Sequence, residues 1–228
     1  MQAVLNEVYY DPAGADGGYE FVEIVVAEGA ATPLPLAGWR LETGNGATPG
    51  QWRLAWEGDD RDTLTAAPLV LGESGVEPPP WVVLDLDLQN GPDACRLVAP
   101  DGSADVLGWG EELDPLLREG RAAPDVPSGR SLARRPDGLD TQDNQRDFTA
   151  ADPSPGAFNS PDREWVVLST DWPPQELEPG ASWEFRFTVR NTGRQAWTEP
   201  LLVDCAVHPG ELLASASPEP ALAPGTER

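Results

Sequence analysis

Apolar and polar residues alternate in short runs along the whole chain. AVLNEVYY, YEFVEIVV, GWRLET, GQWRLAW, APLVLG, WVVLDLDL, ACRLVAP and ADVLGWG follow one another, separated by Gly, Pro, Asp and Asn. Runs of up to about ten residues, with turn signals about every 8–12 residues, predict an all-β sandwich or barrel. The one helix-like stretch, EELDPLLREG, contains Pro115 and predicts a turn or two at most. The segment ADPSPGAFNSPDR, residues 151–163, is rich in turn formers and reads as a domain boundary. Beyond it the alternation restarts with EWVVLS, SWEFRFTVRN and LLVDCAV. In the second of these, Trp183, Phe185, Phe187 and Val189 face one way, and Asn191-Thr192-Gly193 then predicts a turn. Two domains are expected, 1–159 and 163–228. The second is expected to be incomplete, because an immunoglobulin-like sandwich needs about seven strands and 100 residues.

Composition sharpens the class. Of 228 residues, 23 are Gly and 25 are Pro, which suits short strands and turns; nine Trp argue against disorder. The net charge is -24 and every basic residue is Arg. Such a surface repels phosphate backbones and anionic lipids, so binding to nucleic acid or direct insertion into a membrane is not expected. No apolar run reaches the roughly 18 residues of a membrane span. Met1 leads almost directly into AVLNEV without a signal-like segment, so the chain either stays inside the cell or is a piece of a longer one.

Ordered segments in the first 159 residues resemble a bacterial lamin-tail domain. They are LNEVYYD, EFVEI, LAGWRL (36–41), LQNGPDACRLVAPDGSADVLGWG (88–110), GRSLARRPDGLDTQDNQRDF and PSPGAFN. Two departures are Trp109 at the aromatic position before the glycine and Val25-Val26 in place of an Asn-Pro turn. From residue 163 on, LEPGASWEFRFTVRNTGRQAW (177–197) and LAPG (222–225) resemble bacterial cell-adhesion-related sandwich domains. The resemblance implies two tandem immunoglobulin-like β-sandwiches. It also implies an extracellular or cell-surface location, a protein or glycan partner, and a role as a non-catalytic binding or structural spacer module. The alternative is an accessory domain attached to a hydrolase whose catalytic part lies outside this chain.

The first hairpin carries candidate chemistry in Glu7, Glu20 and Glu23. Strand parity puts Glu23 on the face opposite Val22 and Ile24, toward solvent. Glu7 shares parity with Leu5, and Glu20 with Val22, so both point inward and need a partner or a wet strand end. The expected partner is an arginine of GRSLARRPDG: Arg130, Arg134 or Arg135. The resulting expectation is a structural ion pair of Glu7 or Glu20 with Arg134 that ties the last segment to the first hairpin. A second reading places calcium at Asp11, Asp16 and Glu20 around the Gly-rich turn, or on Asp137, Asp140, Asp143 and Asp147, although EF-hand spacing is absent. No cofactor is otherwise implied.

Catalytic patterns are missing. His208 is the single histidine, and Ser74 in GESGVE has no base beside it. The chain is therefore not expected to be an enzyme. Trp52, Arg53 and Trp56 in GQWRLAW could form an exposed platform for a glycan or peptide, against the plainer reading of core or edge packing. Cys95 and Cys205 both fall among apolar neighbours and read as buried free thiols.

Overall fold

The computed structural model describes residues 1–14, 17–161, 165–171, 186–191, 193, 206–207 and 211–212; beyond 161 it describes side chains only at 189, 191 and 193. The chain divides into two compact units, Met1–Asn159 and Ser160–Arg228. The strands of the first unit are β1 (Ala3–Tyr9), β2 (Phe21–Val26), β3 (Leu34–Pro35), β4 (Arg40–Asn45), β5 (Trp52–Glu57) and β6 (Thr63–Leu64). They continue with β7 (Leu69–Gly72), β8 (Val82–Val83), β9 (Asp93–Val98), β10 (Ala104–Trp109), β11 (Ser131–Arg134) and β12 (Phe148–Ala151). One sheet has the order β12-β11-β1-β2-β7-β8 and the other β10-β9-β4-β5. All ladders in both are antiparallel except β7–β8.

The two sheets enclose one core. Leu5, Val8, Val22, Ile24, Leu71 and Leu132 from the first sheet meet Leu41, Trp56, Cys95, Leu97, Leu107 and Trp109 from the second. Alternation selects these residues, and burying each large one favours the fold by about 1.5–3 kcal/mol. Tyr10 stacks on Trp109 inside the core, with centroids 4.7 Å apart. Cys95 is buried and its thiol free, whereas Cys205 lies outside the described residues.

Two bulges break the parity read from the sequence. In β1 the register with β2 jumps between Leu5↔Ile24 and Glu7↔Glu23, leaving Asn6 as the extra residue. Ala3 and Leu5 therefore face the core before Asn6, and Val8 and Tyr10 after it. In β5, Ala55 is the extra residue opposite the step from Leu41 to Glu42.

The alternating run WVVLDLDL predicts a longer strand than forms. Only Val82–Val83 joins a ladder, yet Leu84, Leu86 and Leu88 still pack on the core. Side chains replace the missing ladder there. Arg53 donates to the carbonyls of Asp85 and Leu86, and the Glu20 carboxylate accepts the Leu88 N–H at 2.9 Å. In EELDPLLREG a single 3₁₀ turn, Pro115–Leu117, forms with Asp114 accepting the Leu116 N–H at 2.9 Å. A four-residue helix, α1 (Asn144–Asp147), was not predicted.

In the second unit, β13 (Trp165–Asp171) pairs antiparallel with β14 (Arg186–Asn191), and β15 (Ala206–Val207) with β16 (Glu211–Leu212). The Gly193 N–H donates to Asn191 Oδ1 at 3.0 Å, as the Asn-Thr-Gly turn requires. Trp183, Phe185, Thr192 and His208 lie outside the described residues.

Candidate functional site

Buried charge concentrates at three places in the first unit. The first surrounds Arg134 at the end of β11, which is completely buried. Its Nη2 donates to both carboxylate oxygens of Asp105, at 2.9 and 3.0 Å, and its Nη1 to Asp147 Oδ2 at 3.2 Å. Its Nε donates to the Leu5 carbonyl at 2.6 Å and its Nη1 to the Leu139 carbonyl at 2.8 Å. The Phe148 ring lies 4.5 Å from the guanidinium carbon. Asp105 also accepts the Leu5 N–H at 2.6 Å. Burial pushes the Asp105 carboxyl up, while Arg134 and the Leu5 N–H pull it down. One guanidinium thus joins β1, β10, β11 and the α1 segment.

The expected ion pair is corrected accordingly. Arg134 does anchor the last segment to the first hairpin, but its acidic partners are Asp105, Asp147 and Asp140, not Glu7 or Glu20. The bulge at Asn6 turns Glu7 to the opposite face of β1, and Glu20 is engaged at the end of β2 by Leu88. The sequence held a signal for Asp105: it shares parity with Leu107 and Trp109, the same test that singled out Glu7.

An acidic group lies beside this hub. Asp105, Glu119 and Asp140 offer carboxylate oxygens within 4.8 Å of one another. Glu119 Oε1 accepts the Val106 N–H at 3.1 Å, and its Oε2 is buried without a hydrogen-bond partner. Burial, reinforced by Asp105, pushes Glu119 up to about 8. Arg134 touches Asp105 and comes within 3.9 Å of Asp140, so the chain supplies its own cation here.

The second place is the outer face of the six-stranded sheet. Glu7 and Glu23 stand opposite each other across the β1–β2 ladder, and both are completely buried. The sequence reading placed Glu23 in solvent. Its parity was right, but residues 152–159 cross over this face and cover it. Ser154 donates its N–H and hydroxyl to Glu7, and the Gly156 N–H donates to Glu23 Oε2 at 2.8 Å. Ser131 donates to Glu7 at 2.5 Å and the Asn6 amide to Glu23 at 2.9 Å. Burial, opposed by Asn6 and reinforced by Glu7, pushes Glu23 up to about 8; burial also raises Glu7.

The third place is the Gly-rich turn proposed for calcium. Asp16 lies outside the described residues, so the Asp11, Asp16, Glu20 set is not described as a whole. Glu20 is buried, with one oxygen committed to the Leu88 N–H. The turn itself is held by Glu73, which accepts the N–H groups of Gly18 and Glu20 at 2.5 and 3.0 Å. Of the second acidic set, Asp147 accepts from Arg134 and Thr141, and Asp143 pairs with Arg121.

The platform of Trp52, Arg53 and Trp56 does not form. The bulge at Ala55 sends Trp56 into the core and leaves Trp52 on the outer face of β5, where Arg96 lies 4.2 Å over its ring. Arg53 faces the other way, toward the Asp85–Leu86 carbonyls. Trp52 and Arg53 still line one polar cleft of about 290 Å³, with Thr43, Asn45, Gln51 and Gln89. Asp93 sits at its base, and burial raises its carboxyl to about 6.

The fold defines an all-β, sandwich-like protein whose buried charges tie distant segments together. No family model, curated protein or solved structure matches the chain. Among the described residues, no helix is long and apolar enough to cross a membrane.

Proposed function

We propose that the chain is a non-catalytic binding or structural spacer module of a larger bacterial extracellular or cell-surface protein. In this reading 1–159 is a lamin-tail-like domain, followed by a partial immunoglobulin-like one. The observation that carries it is the use made of the buried charged groups. Arg134, Asp105, Asp147, Glu7, Glu20 and Glu73 all bind the chain's own backbone or side chains. Groups so committed hold a scaffold together. The resembling segments also occupy successive elements: LNEVYYD on β1, EFVEI on β2, and GRSLARRPDGLDTQDNQRDF from β11 through α1. Location and partner class rest on the resemblance.

The test pairs a binding assay with an activity screen. The purified chain is expected to bind a cell-surface protein or glycan preparation while leaving fluorogenic glycoside, ester and peptide substrates intact. Turnover abolished by Asp93→Asn or Glu119→Gln would replace the module with an enzyme.

The polar cleft favours a second reading, an accessory glycan-binding domain attached to a hydrolase. Its Asn45, Gln51 and Gln89 amides and the Trp52 ring suit neutral sugars. Binding on a glycan array that is lost in Gln89→Ala and in Trp52→Ala supports this reading; a blank array removes it.

A further inference from the structure

The segment covering Glu7 and Glu23 ends the first unit and leads the chain into the second. Its position depends on carboxyl acceptors. Glu7 receives the Ser154 N–H at 3.1 Å and the Ser154 hydroxyl at 3.0 Å. Glu23 receives the Gly156 N–H at 2.8 Å, and Asp137 the Asn159 N–H at 2.8 Å. The Asn159 side chain donates to the Asn6 carbonyl at 2.9 Å. The segment follows β12 and joins no ladder; these bonds attach it to the sheet.

Directly opposed like charges on neighbouring strands repel, and two buried carboxylates sharing one site cannot both ionise cheaply. Among the described residues, their hydrogen-bond donors bring no positive charge. Facing the two glutamates are Asn6 on β1, Ser131 on β11, Asp137 after β11, Val70 on β7, and Ser154, Gly156 and Asn159 on the covering segment. All are neutral except Asp137, which is acidic. Arg130 pairs with Asp152 at the start of the segment and with neither glutamate. Among the described residues neither glutamate has an arginine partner.

We propose that Ser154–Asn159 is a proton-dependent clasp: one proton held on the Glu7–Glu23 pair keeps it closed, and loss of that proton lifts it. With one proton the two side chains hold a single negative charge, which the surrounding N–H and O–H donors satisfy. Without it, two directly opposed buried charges require water. Water reaches them most readily by displacing the one covering layer that is not a sheet strand. The raised positions of Glu23 and Glu7 agree with this order of events. Opening would free the last residues of the first unit at alkaline pH, and acidification would bind them again. The inference does not rest on the module reading, since it concerns the scaffold alone.

Amide exchange of the full chain, followed residue by residue by NMR and corrected for the intrinsic rate, tests it. Between about pH 6.5 and 9, protection at Ser154, Gly156 and Asn159 is expected to fall at least about tenfold more than that of Leu5 and Ile24. In Glu23→Gln, which is neutral at every pH, protection of the segment is expected to persist at about pH 9. Equal protection at both pH values in the unmodified chain overturns the clasp, as does an equal fall in Glu23→Gln. Should that variant fail to fold, ¹³C carboxyl titration of the unmodified chain decides. Both glutamates ionising below about pH 7 overturns the proposal, and one ionising above about pH 7 supports it.

Discussion

At the scale of single residues, Arg134 outweighs the rest. Removing one partner of a buried ion pair leaves the other charged and dry, at a cost of about 3–5 kcal/mol. Arg134→Met is expected to lose that much in urea unfolding, since it strands Asp105 and Asp147 together. A loss under about 1 kcal/mol would mean that the site relaxes with water and that the guanidinium does not hold the strands. The arginine was legible from its place in GRSLARRPDG. Its partner lies outside the first hairpin, on β10, where Asp105 alternates in phase with Leu107 and Trp109. Glu23 was misjudged for a different reason. Alternation tells which face a side chain takes, but not whether a segment 130 residues later covers that face.

At the scale of elements, the strands themselves were readable, because β1, β2, β4, β5, β9 and β10 all fall in the quoted alternating runs. What was not readable was phase. One extra residue moves every later side chain to the other face, and Asn6 and Ala55 each do this inside a run whose alternation looks unbroken nearby. Trp52 and Trp56 are four apart and share a face only in an unbulged strand. The run after β8 shows the converse: alternation survived without a ladder because Arg53 and Glu20 took over its hydrogen bonds. Arg53→Ala is therefore expected to raise amide exchange around Leu86–Leu88 while leaving β4 and β9 protected. Unchanged exchange there would show that core packing of Leu86 and Leu88 suffices. Close packing between elements makes a second prediction. A Cβ on Gly108 would sit 2.1 Å from the Leu117 carbonyl oxygen and 2.4 Å from Leu113 Cδ2, so the 3₁₀ turn could not stay against β10. Gly108→Ala is expected to cost about 3 kcal/mol, read from the urea midpoint.

At the scale of the whole molecule, net charge and buried carboxyls act in the same direction. The -24 charge repels itself more as further acids ionise. Burial holds Glu23 and Glu119 at about 8 and Asp93 at about 6, above their ordinary values. Between the ordinary and the raised value, the folded chain keeps a proton that the unfolded chain has lost. Stability contributed this way is fully present below the ordinary carboxyl range and is lost as pH rises toward the raised values. The melting temperature of the first unit is thus expected to fall from about pH 5 to about pH 8, in contrast to proteins stabilised by ionised carboxylates. The all-β class was legible in the run lengths. The buried network was not, because its members are brought together by topology from β1, β2, β10, β11 and the covering segment.

The most direct test of this account is the stability difference between Glu23→Gln and the unmodified chain, measured by urea unfolding across pH. Glutamine keeps the shape and cannot ionise. The account predicts that the variant's relative stability grows with pH by up to about 1.4 kcal/mol per unit between about pH 5 and 8, then levels off. A difference that stays constant over that range would contradict it, because Glu23 would then ionise in the folded chain as easily as in the unfolded one.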